Sequence, residues 1–502
     1  MSSKGLPNTQ PQRKTSFAGD VLKLVSGTTI AQFLSILTAP VLARLYAPDA
    51  FGTAAVFTSI VALVGVVACL RYDLAIVLPE QDQDATNLLA VSLSAALIIT
   101  GLTAGILLFK QEIVIQLLNA PELAPYMWLI PLTVLVNGAF FAFNYWNSRT
   151  KHFWRLSVAK ISQAVMTTGT KLGFGISGQA DASGLISGIV LGNVVTTIIL
   201  SGQIWREDRL LFRKNISLSR MKQVVCRYKK FPLINLWSIF LNNASWQLPT
   251  LLLSAYFSPV VVGYYSQGYK LVHLPVTLIG SSIASVFFQR AAEARAKGNL
   301  IPFVDNTFRR LVLMSLFPMI LLSIIGQDLF VVFLGATWAE AGIYTQILSP
   351  WMFFLFISSP LSTLYSVLEK QELGLIFNGG LFLSRLIVLT LGGHLANPRI
   401  ALILFSFSGI LAYGYLSISV LTVAGISLKR TLQILGNGIV QSIPLSVIIV
   451  TLRLIQVNSY VLLGTSLASL CLYFGLVIIR DPVLRTWSLS ILEQIQRKNK
   501  VD

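Results

Sequence analysis

Charged residues are scarce in this chain of 502 residues, since only 12% are Asp, Glu, Lys or Arg. Acids are the scarcer kind, with 20 Asp and Glu against 38 Lys and Arg. Soluble domains carry about 25% charged residues, more than this chain does. Hydrophobic residues, in contrast, make up 54% of the chain. The composition therefore excludes an ordinary soluble protein and indicates one that crosses a membrane many times.

Cysteine and histidine are also rare, with three of each. Cys69 and Cys471 lie within apolar segments and Cys226 lies in a basic loop, so neither a disulfide framework nor a CxxC pair results. The histidines show no HExxH or similar spacing, and no GxxxxGKS/T phosphate-binding loop occurs. We therefore expect no catalytic metal, no cofactor and no ATP hydrolysis through a P-loop.

Long apolar segments are what the sequence has in abundance. Segments of about 18 or more predominantly apolar residues predict membrane-spanning helices. The chain has fourteen, so the predicted fold class is an all-α polytopic membrane protein. The predicted spans are Val21–Ala43, Phe51–Leu70, Thr86–Phe109, Tyr126–Asn147, Ser157–Gly178, Ser183–Ile204, Pro232–Phe257, Tyr265–Gln289, Leu311–Leu334, Thr345–Leu368, Leu373–Leu395, Ile400–Ala424, Leu432–Leu452 and Ser459–Ile479.

Two turns with one pattern divide these spans. Leu45-Tyr46-Ala47-Pro48-Asp49-Ala50-Phe51-Gly52 and Tyr256-Phe257-Ser258-Pro259-Val260-Val261-Val262-Gly263 both place Pro-x-x-x-Gly after an aromatic residue, 211 positions apart. Because apolar segments enter and leave both turns, we predict one multi-helix unit used twice. The predicted parts are a cytoplasmic tail (1–20), an N-lobe of helices 1–6 (21–204), a basic linker (205–231), a C-lobe of helices 7–12 (232–424), helices 13 and 14 (425–479) and an amphipathic cytoplasmic tail (480–502).

Basic residues are concentrated in alternate loops. With the N-terminus placed in the cytoplasm, 29 of the 38 Lys and Arg residues lie in cytoplasmic loops or tails. Only Arg44, Lys110, Arg399 and Arg453 lie in loops on the other side. This distribution obeys the positive-inside rule, and it explains the net charge of +18 by topology and by contact with anionic membrane lipids. It argues against nucleic acid as a partner and predicts a multi-pass protein with both termini in the cytoplasm.

Five cations lie inside the predicted spans, where a charge costs at least about 2.5 kcal/mol on insertion scales. Lys171, Lys270 and Arg385 lie deep and are predicted to line a polar cavity; the alternative for each is a structural hydrogen bond to a carbonyl of a neighbouring helix. Lys23 and Lys160 lie near cytoplasmic span ends, where they either join the site or extend to the membrane surface. No acid lies at comparable depth, so the cavity should bind an anion, and phosphate is the favoured one.

Two spans carry stripes of uncharged polar residues. Lys160 and Lys171 are eleven residues apart, about three helical turns, and share a face with Gln163 and Thr167. The seventh span has a stripe at i, i+3, i+7 and i+10, which consists of Asn235, Ser238, Asn242 and Ser245, with Gln247 nearby. Such stripes also join helices through hydrogen bonds, but beside buried cations they favour a water-filled cavity.

Several short segments form a combined pattern that extends roughly from residue 20 to residue 425. They are Leu42-Ala43-Arg44-Leu45-Tyr46-Ala47-Pro48-Asp49-Ala50-Phe51-Gly52, Leu70-Arg71-Tyr72-Asp73-Leu74-Ala75-Ile76-Val77-Leu78-Pro79, Tyr228-Lys229-Lys230-Phe231-Pro232, Gln247-Leu248-Pro249, Val262-Gly263-Tyr264-Tyr265, Gly335-Ala336-Thr337-Trp338-Ala339-Glu340-Ala341-Gly342-Ile343-Tyr344 and Ser349-Pro350-Trp351. The pattern resembles the bacterial polysaccharide-biosynthesis flippases of the multidrug/oligosaccharidyl-lipid/polysaccharide (MOP) exporter superfamily.

This resemblance implies two six-helix lobes in a V around a central cavity, with two further helices at the C-terminus. It implies that a polyprenyl-pyrophosphate-linked oligosaccharide crosses from the inner to the outer leaflet of the bacterial inner membrane, for O-antigen, capsule or exopolysaccharide synthesis. The residues expected to hold the pyrophosphate are Lys171, Lys270 and Arg385 first, then Lys23, Lys160 and Arg71. The coupling ion, H+ or Na+, and association with polysaccharide polymerase and chain-length partners stay open.

Three other functions compete with this one. A drug or cation antiporter of the same superfamily would place an acid deep in the first lobe, and none is there. A membrane glycan polymerase or ligase would need a long outer loop to hold its acceptor, and the predicted outer loops are all short. A non-transporting scaffold in a glycan-synthesis complex gives no reason for buried cations. Transport of an anionic lipid-linked substrate is therefore the favoured function.

Overall fold

The structure, a computed structural model, describes residues 17–481; within them the side chains of residues 17–26, 279, 281 and 282 are not described. The predicted tails at 1–20 and 480–502 lie almost wholly outside these residues. The described chain consists of helices and the turns between them and contains no strand. The predicted all-α fold class is confirmed.

Fourteen helices correspond to the predicted spans, except that the eighth span, Tyr265–Gln289, continues from the eighth helix through the turn Val276–Gly280 into Ser281–Ala296. They are α1 Phe17–Leu45, α2 Pro48–Gly65, α3 Asp82–Leu117, α4 Leu129–Arg149, α5 Phe153–Ile176, α6 Ala182–Asn215, α7 Leu236–Tyr256, α8 Pro259–Pro275, α9 Leu300–Leu334, α10 Ala339–Leu361, α11 Gln371–His394, α12 Pro398–Val423, α13 Leu428–Leu454 and α14 Ser459–Arg480. The shorter helices are Tyr72–Ala75, Pro121–Tyr126, Leu218–Arg227, Phe231–Asn235, Val276–Gly280, Ser281–Ala296, Ala336–Trp338 and Leu364–Val367; two of them, Phe231–Asn235 and Val276–Gly280, are π-helical turns.

Within the described residues, twelve helical stretches are long and apolar enough to cross a membrane by length and composition. The other two predicted spans lie on α5 and α7, which are 24 and 21 residues long. Both helices carry a polar stripe, and these polar residues lower the mean hydropathy of the helix. Both helices carry residues that the sequence marks as candidates for the site.

The helices form two lobes with the same internal order. In the N-lobe, α5 packs between α1 and α6; in the C-lobe, α11 packs between α7 and α12. The last two helices, α13 and α14, both pack on α9. The pair is therefore attached to the C-lobe rather than placed between the lobes.

The two repeated turns lie against each other where the lobes meet. A β-carbon added at Gly52 would lie 1.7 Å from the carbonyl oxygen of Pro259, and one added at Gly263 would lie 1.8 Å from that of Pro48. The contact is reciprocal, because the glycine of each turn faces the proline of the other. Only glycine at both positions allows α2 and α8 to cross at this distance.

Hydrogen bonds join the lobes on the same side of the molecule. The indole N–H of Trp338 donates to the carbonyl oxygen of Ala43 at 2.8 Å, and Ser254 Oγ donates to that of Leu118 at 2.6 Å. These residues lie near helix ends opposite the basic loops. The lobes therefore meet on the side that the charge distribution predicts to face outward.

The basic linker includes a short helix, Leu218–Arg227, which packs on α3. Ser217 caps this helix by accepting a hydrogen bond from the backbone N–H of Arg220, and Val224 is buried beneath it. The hydroxyl of Tyr72 donates to the carbonyl oxygen of Val225 at 3.4 Å. The linker thus lies on the basic end of the N-lobe.

Candidate functional site

A pocket of about 360 Å³ lies between the lobes, enclosed by α1, α2, α5, α6 and α8. Three lysines line it: Lys160, Lys171 and Lys270. The neutral polar side chains around them are Thr28, Gln32, Ser35, Thr38, Gln163, Thr167, Thr168, Asn193 and Gln267. No Asp or Glu is among the lining residues whose side chains the structure describes. Within that part of the chain, three positive charges face the pocket without a counter-acid in its wall.

The polar stripe of α5 forms one wall of the pocket. Lys160, Gln163, Thr167 and Lys171 all line it, which is what their helical spacing predicts. Gln163 Nε2 donates to Asn193 Oδ1 of α6 at 2.6 Å. The stripe is therefore both a pocket wall and a contact between α5 and α6.

Two close contacts with neighbouring residues position Lys171. The hydroxyl of Tyr46, an aromatic residue of the first repeated turn, donates to the carbonyl oxygen of Lys171 at 2.6 Å. On α6, a β-carbon added at Gly188 would lie 2.7 Å from Lys171 Cγ. A glycine at that position leaves room for the lysine stem, so the side chain can extend along the pocket wall.

Lys270 enters the pocket from the other lobe, on α8. Its Nζ donates to Ser35 Oγ of α1 at 3.3 Å. Gln267, three residues earlier on α8, also lines the pocket. The site is therefore shared: the N-lobe supplies two lysines and most of the polar wall, and the C-lobe supplies the third lysine.

Arg385 lies elsewhere, in the core of the C-lobe, and is not among the residues that line the pocket. Its side chain is only 1% exposed. Its guanidinium donates from Nη1 to the carbonyl oxygen and the Oγ of Ser245 at 2.9 and 3.0 Å. The group lies 4.4 Å from the ring centroid of Trp246 and 5.6 Å from that of Trp351. This is the structural alternative considered for the deep cations, a hydrogen bond to a carbonyl of a neighbouring helix.

Arg71 lies in the turn after α2, outside the pocket lining. Leu70 and Arg71 have φ angles of 49° and 63°, a left-handed conformation that is unusual for two such residues in succession. The Arg71 guanidinium lies 3.9 Å from the Asp73 carboxylate, whose oxygens are buried without a well-formed hydrogen bond to a described residue. Burial raises the pKa of Asp73. Arg71 and the nearby backbone N–H groups of Asp73 and Leu74 lower this pKa, but by less than burial raises it.

Lys23 lies within α1, but its side chain is outside the described part of the chain. The stripe of α7 is described and does not line the pocket. Asn235 lies in the π-helical turn that precedes α7, and Asn242 is exposed on the helix. Gln247 Nε2 donates to Asn243 Oδ1 at 3.4 Å, and Asn243 Nδ2 donates to the carbonyl oxygen of Ala62 at 2.7 Å. Gln247 thus bonds within α7, and Asn243, which lies beside the stripe, makes the contact with α2 of the other lobe.

Several lining residues were not predicted from the sequence. They are the polar face of α1, which consists of Thr28, Gln32, Ser35 and Thr38, and the amides Asn193 and Gln267. A signal for them exists, because the α1 residues recur at intervals of four and three, and Gln267 precedes Lys270 by three. None of them is charged, so buried charge, the signal that marks the lysines, does not mark them.

Sequence comparison finds relatives in polysaccharide synthesis. The sequence model of a family described as polysaccharide biosynthesis protein matches residues 41–342, more than half of the chain. The succinoglycan biosynthesis transport protein ExoT of Rhizobium meliloti (strain 1021) is 24% identical over 262 residues. That match covers 51% of this chain and 49% of ExoT, so the chain spans about half the length of this curated relative.

Structure comparison finds the same fold in solved transporters. The lipid II flippase MurJ, in an inward closed conformation, has a TM-score of 0.72 at 15% identity, covering 91% of this chain and 98% of MurJ. An inward-facing multidrug resistance MATE family transporter of the MOP superfamily has a TM-score of 0.59 at 13% identity, covering 80% of this chain and 99% of that one. This is a multi-pass membrane protein with the MOP superfamily fold, and by its sequence it belongs to the polysaccharide biosynthesis protein family.

Proposed function

We propose that this protein is a flippase for a polyprenyl-pyrophosphate-linked oligosaccharide, which it moves from the inner to the outer leaflet of the bacterial inner membrane for surface polysaccharide synthesis. One observation carries the proposal: Lys160, Lys171 and Lys270 converge on a pocket between the lobes, and no acid is among its lining residues in the described part of the chain. Pyrophosphate is the part of such a lipid that three ammonium groups would bind.

The chemistry of the pocket matches the barrier to unassisted flipping. A pyrophosphate and many sugar hydroxyls would lose their hydrogen bonds in hydrocarbon, at several kcal/mol for each unsatisfied group. The lysines would neutralise the pyrophosphate, and amides such as Gln32, Gln163 and Gln267 would hydrogen-bond to hydroxyl groups. The polyprenyl chain has no need of this pocket and can stay in the lipid.

The junction of the repeated turns supports alternating access as the mechanism. The lobes touch through Gly52 and Gly263 on the side opposite the basic loops, and the pocket lies between the lobes. Release to the outer leaflet would require this junction to separate while the lobes approach each other at the basic end. Lys270 would move with the C-lobe, away from the two lysines of α5. The pocket would then bind the pyrophosphate less tightly.

The relatives support the same class of function. ExoT is described as a succinoglycan biosynthesis transport protein and MurJ as a lipid II flippase. The MATE relative is described as a multidrug resistance transporter, but a pocket lined by three lysines would repel a cationic drug. An anionic lipid-linked substrate is therefore favoured over drug export, and the protein is proposed to act as a transporter rather than an enzyme.

The test measures which leaflet holds the lipid-linked oligosaccharide, in cells with the protein, without it and with Lys171→Ala or Lys270→Ala. We expect build-up in the inner leaflet in the deletion strain and in both variants. Loss of one charge-assisted contact is worth about 1.5–3 kcal/mol, so transport should fall about 10- to 100-fold. Lys171→Arg, which keeps the charge, should retain more transport than Lys171→Ala.

Lys110→Ala is the matched control, because Lys110 is exposed on α3 outside the pocket, and it should transport normally. Normal delivery to the outer leaflet in the deletion strain, with unpolymerised repeat units accumulating there, would contradict the proposal and indicate a polymerase. Normal transport by both lysine variants would show that the pocket does not hold the pyrophosphate.

A further inference from the structure

A second polar pocket lies away from the lobe interface, where α9, α13 and α14 meet, and its volume is about 230 Å³. Each of the three helices contributes an arginine to the lining: Arg309 from α9, Arg430 from the start of α13 and Arg480 from the end of α14. All three lie at the basic end of the molecule. The transport function proposed above makes no use of this pocket.

The charges around this pocket do not cancel. The ion pairs at its rim are Arg430–Asp305 at 2.8 Å, Arg310–Asp481 at 3.0 Å and Arg309–Asp481 at 3.9 Å. Arg480 is exposed and makes no ion pair with any residue that the structure describes. Among the residues that the structure describes, two aspartates, one of which (Asp481) itself lines the pocket, face four arginines at the rim, an excess of two positive charges.

Two amides extend the polar lining into the membrane-spanning part of α13. Asn437 and Gln441 are one helical turn apart, both are exposed, and neither hydrogen-bonds to another residue between 27 and 481 with a described side chain. An unpaired amide that faces hydrocarbon costs free energy. A polar group at this position would supply the missing partners, and amide N–H groups beside guanidinium groups suit phosphate oxygens.

The surroundings of the pocket indicate that the ligand is amphipathic. Exposed apolar side chains flank it on both helices, and they include Val440 and Ile443 of α13 and Leu476 and Ile479 of α14. An inorganic phosphate ion would contact only the arginines and amides. A lipid with a phosphate-bearing headgroup would place that group in the pocket and an acyl chain along the apolar surface.

We propose that this pocket is a binding site for the headgroup of an anionic phospholipid. The lipid would neutralise the excess charge, hydrogen-bond to Asn437 and Gln441, and bridge α9 of the C-lobe to the α13–α14 pair. The site is independent of substrate transport, because none of its residues lines the pocket between the lobes.

The test uses the purified full chain in detergent, titrated with phosphatidylglycerol or with zwitterionic phosphatidylcholine, and native mass spectrometry counts the bound lipids. We expect phosphatidylglycerol to bind more tightly than phosphatidylcholine. One basic residue near a membrane surface is worth about fivefold in affinity for an anionic lipid, so Arg480→Gln should weaken phosphatidylglycerol binding about fivefold. Arg206→Gln is the matched control, because Arg206 is exposed at the basic end of the N-lobe and should leave this binding unchanged.

A second variant, Asn437→Leu with Gln441→Leu, tests the pocket without changing its charge and adds apolar surface where α13 faces lipid. It should also weaken phosphatidylglycerol binding, and it keeps the test decisive if Arg480→Gln does not fold. Equal binding of both lipids, or unchanged phosphatidylglycerol binding in the double amide variant, would overturn the proposal. Displacement of phosphatidylglycerol by an equal concentration of inorganic phosphate would also overturn it, because the pocket would then be a site for the free anion.

Discussion

The fifth helix of each lobe carries a deep cation, but the two cations have different surroundings. Lys171 lies five residues before the end of α5, and Arg385 lies nine residues before the end of α11. Both helices are 24 residues long and pack between equivalent neighbours. When one helix is compared with the other from their ends, the two cations therefore differ in position by about one helical turn and lie on roughly the same face. In the N-lobe this face borders a polar pocket; in the C-lobe it borders an aromatic core.

The difference arises from the neighbouring helices rather than from the cations. Around Lys171, α1 and α6 present small residues, including Ala31 and Gly188, so space remains next to the ammonium group. Around Arg385, rings from α7, α10 and α12 fill the equivalent space: those of Trp246, Trp351 and Phe405. Arginine suits the second setting because its planar guanidinium stacks on rings, while a lysine in a wet pocket keeps its compact charge available to a ligand.

The sharpest test of this comparison removes the two cations in turn. Arg385→Ala should lower the free energy of unfolding by about 3–5 kcal/mol, because it empties a fully buried space and leaves the carbonyl oxygen of Ser245 without its donor. Lys171→Ala should change stability little, because its side chain borders a pocket, and should instead abolish most transport. Thermal unfolding in detergent, read beside the leaflet measurement, separates the two effects.

An Arg385→Ala variant with unchanged melting temperature and lost transport would show that Arg385 acts on the substrate, and would make the lobes functionally alike. Arg385→Lys is the informative companion. It keeps the charge but loses the stacked, two-point geometry, so it should remain destabilised if the role is structural.

Much of the fold and part of the site could be predicted from the sequence for physical reasons. Apolar length gives the spans, and helical spacing places Lys160, Gln163, Thr167 and Lys171 on one face, where the structure has them. Each of these signals is local to one segment. None of them needs knowledge of which helices become neighbours.

The position of Arg385 could not be predicted in this way. Hydropathy gives the depth of a residue along a span, but not what lies beside it at that depth. Arg385 differs from Lys171 through Trp246 and Trp351, which belong to other helices. The reciprocal contact between the repeated turns is another tertiary fact of this kind, since the repeat predicts two similar units but not that their turns touch.

The second test concerns the reciprocal contact between the two repeated turns. This is the place where the two lobes resemble each other most. Gly263→Ala would place a methyl group 1.8 Å from the carbonyl oxygen of Pro48, so the lobes must separate locally at a cost of about 1–3 kcal/mol. We expect a lower melting temperature and a longer distance between spin labels attached through Ala47→Cys and Val260→Cys, two exposed positions beside the turns.

Gly105→Ala on α3 is the control, because a β-carbon there meets nothing within 4 Å. Its label distance should match that of the parent chain, and its melting temperature should not fall, because alanine has the higher helix propensity. A Gly263→Ala chain that behaves like this control would mean that the two turns do not hold the lobes together, and alternating access through their separation would lose its structural support.

The smallest effect is expected at Asp73, a buried acid of the N-lobe for which the position 211 residues later in the C-lobe holds Ala284. Burial raises the pKa of Asp73 in the folded protein, so the fold favours the neutral carboxyl. Its contribution to stability is then fully present below the unfolded pKa of about 3.9 and is lost as the pH rises toward the folded value. Asp73→Asn mimics the neutral form and should gain stability relative to the parent chain as the pH rises from 4 to 8.

Melting temperatures measured across this pH range decide the point, with Asp82→Asn as the control, because Asp82 is an acid in an exposed ion pair with Arg149. The opposite trend, in which Asp73→Asn loses stability as the pH rises, would mean that attraction to Arg71 outweighs burial. Arg71 would then be held by a charged partner at neutral pH and would have little charge to offer a pyrophosphate. With the expected trend, a neutral Asp73 leaves the Arg71 charge uncompensated at the basic end of the N-lobe, where the flippase proposed above would first meet an anionic lipid headgroup from the inner leaflet.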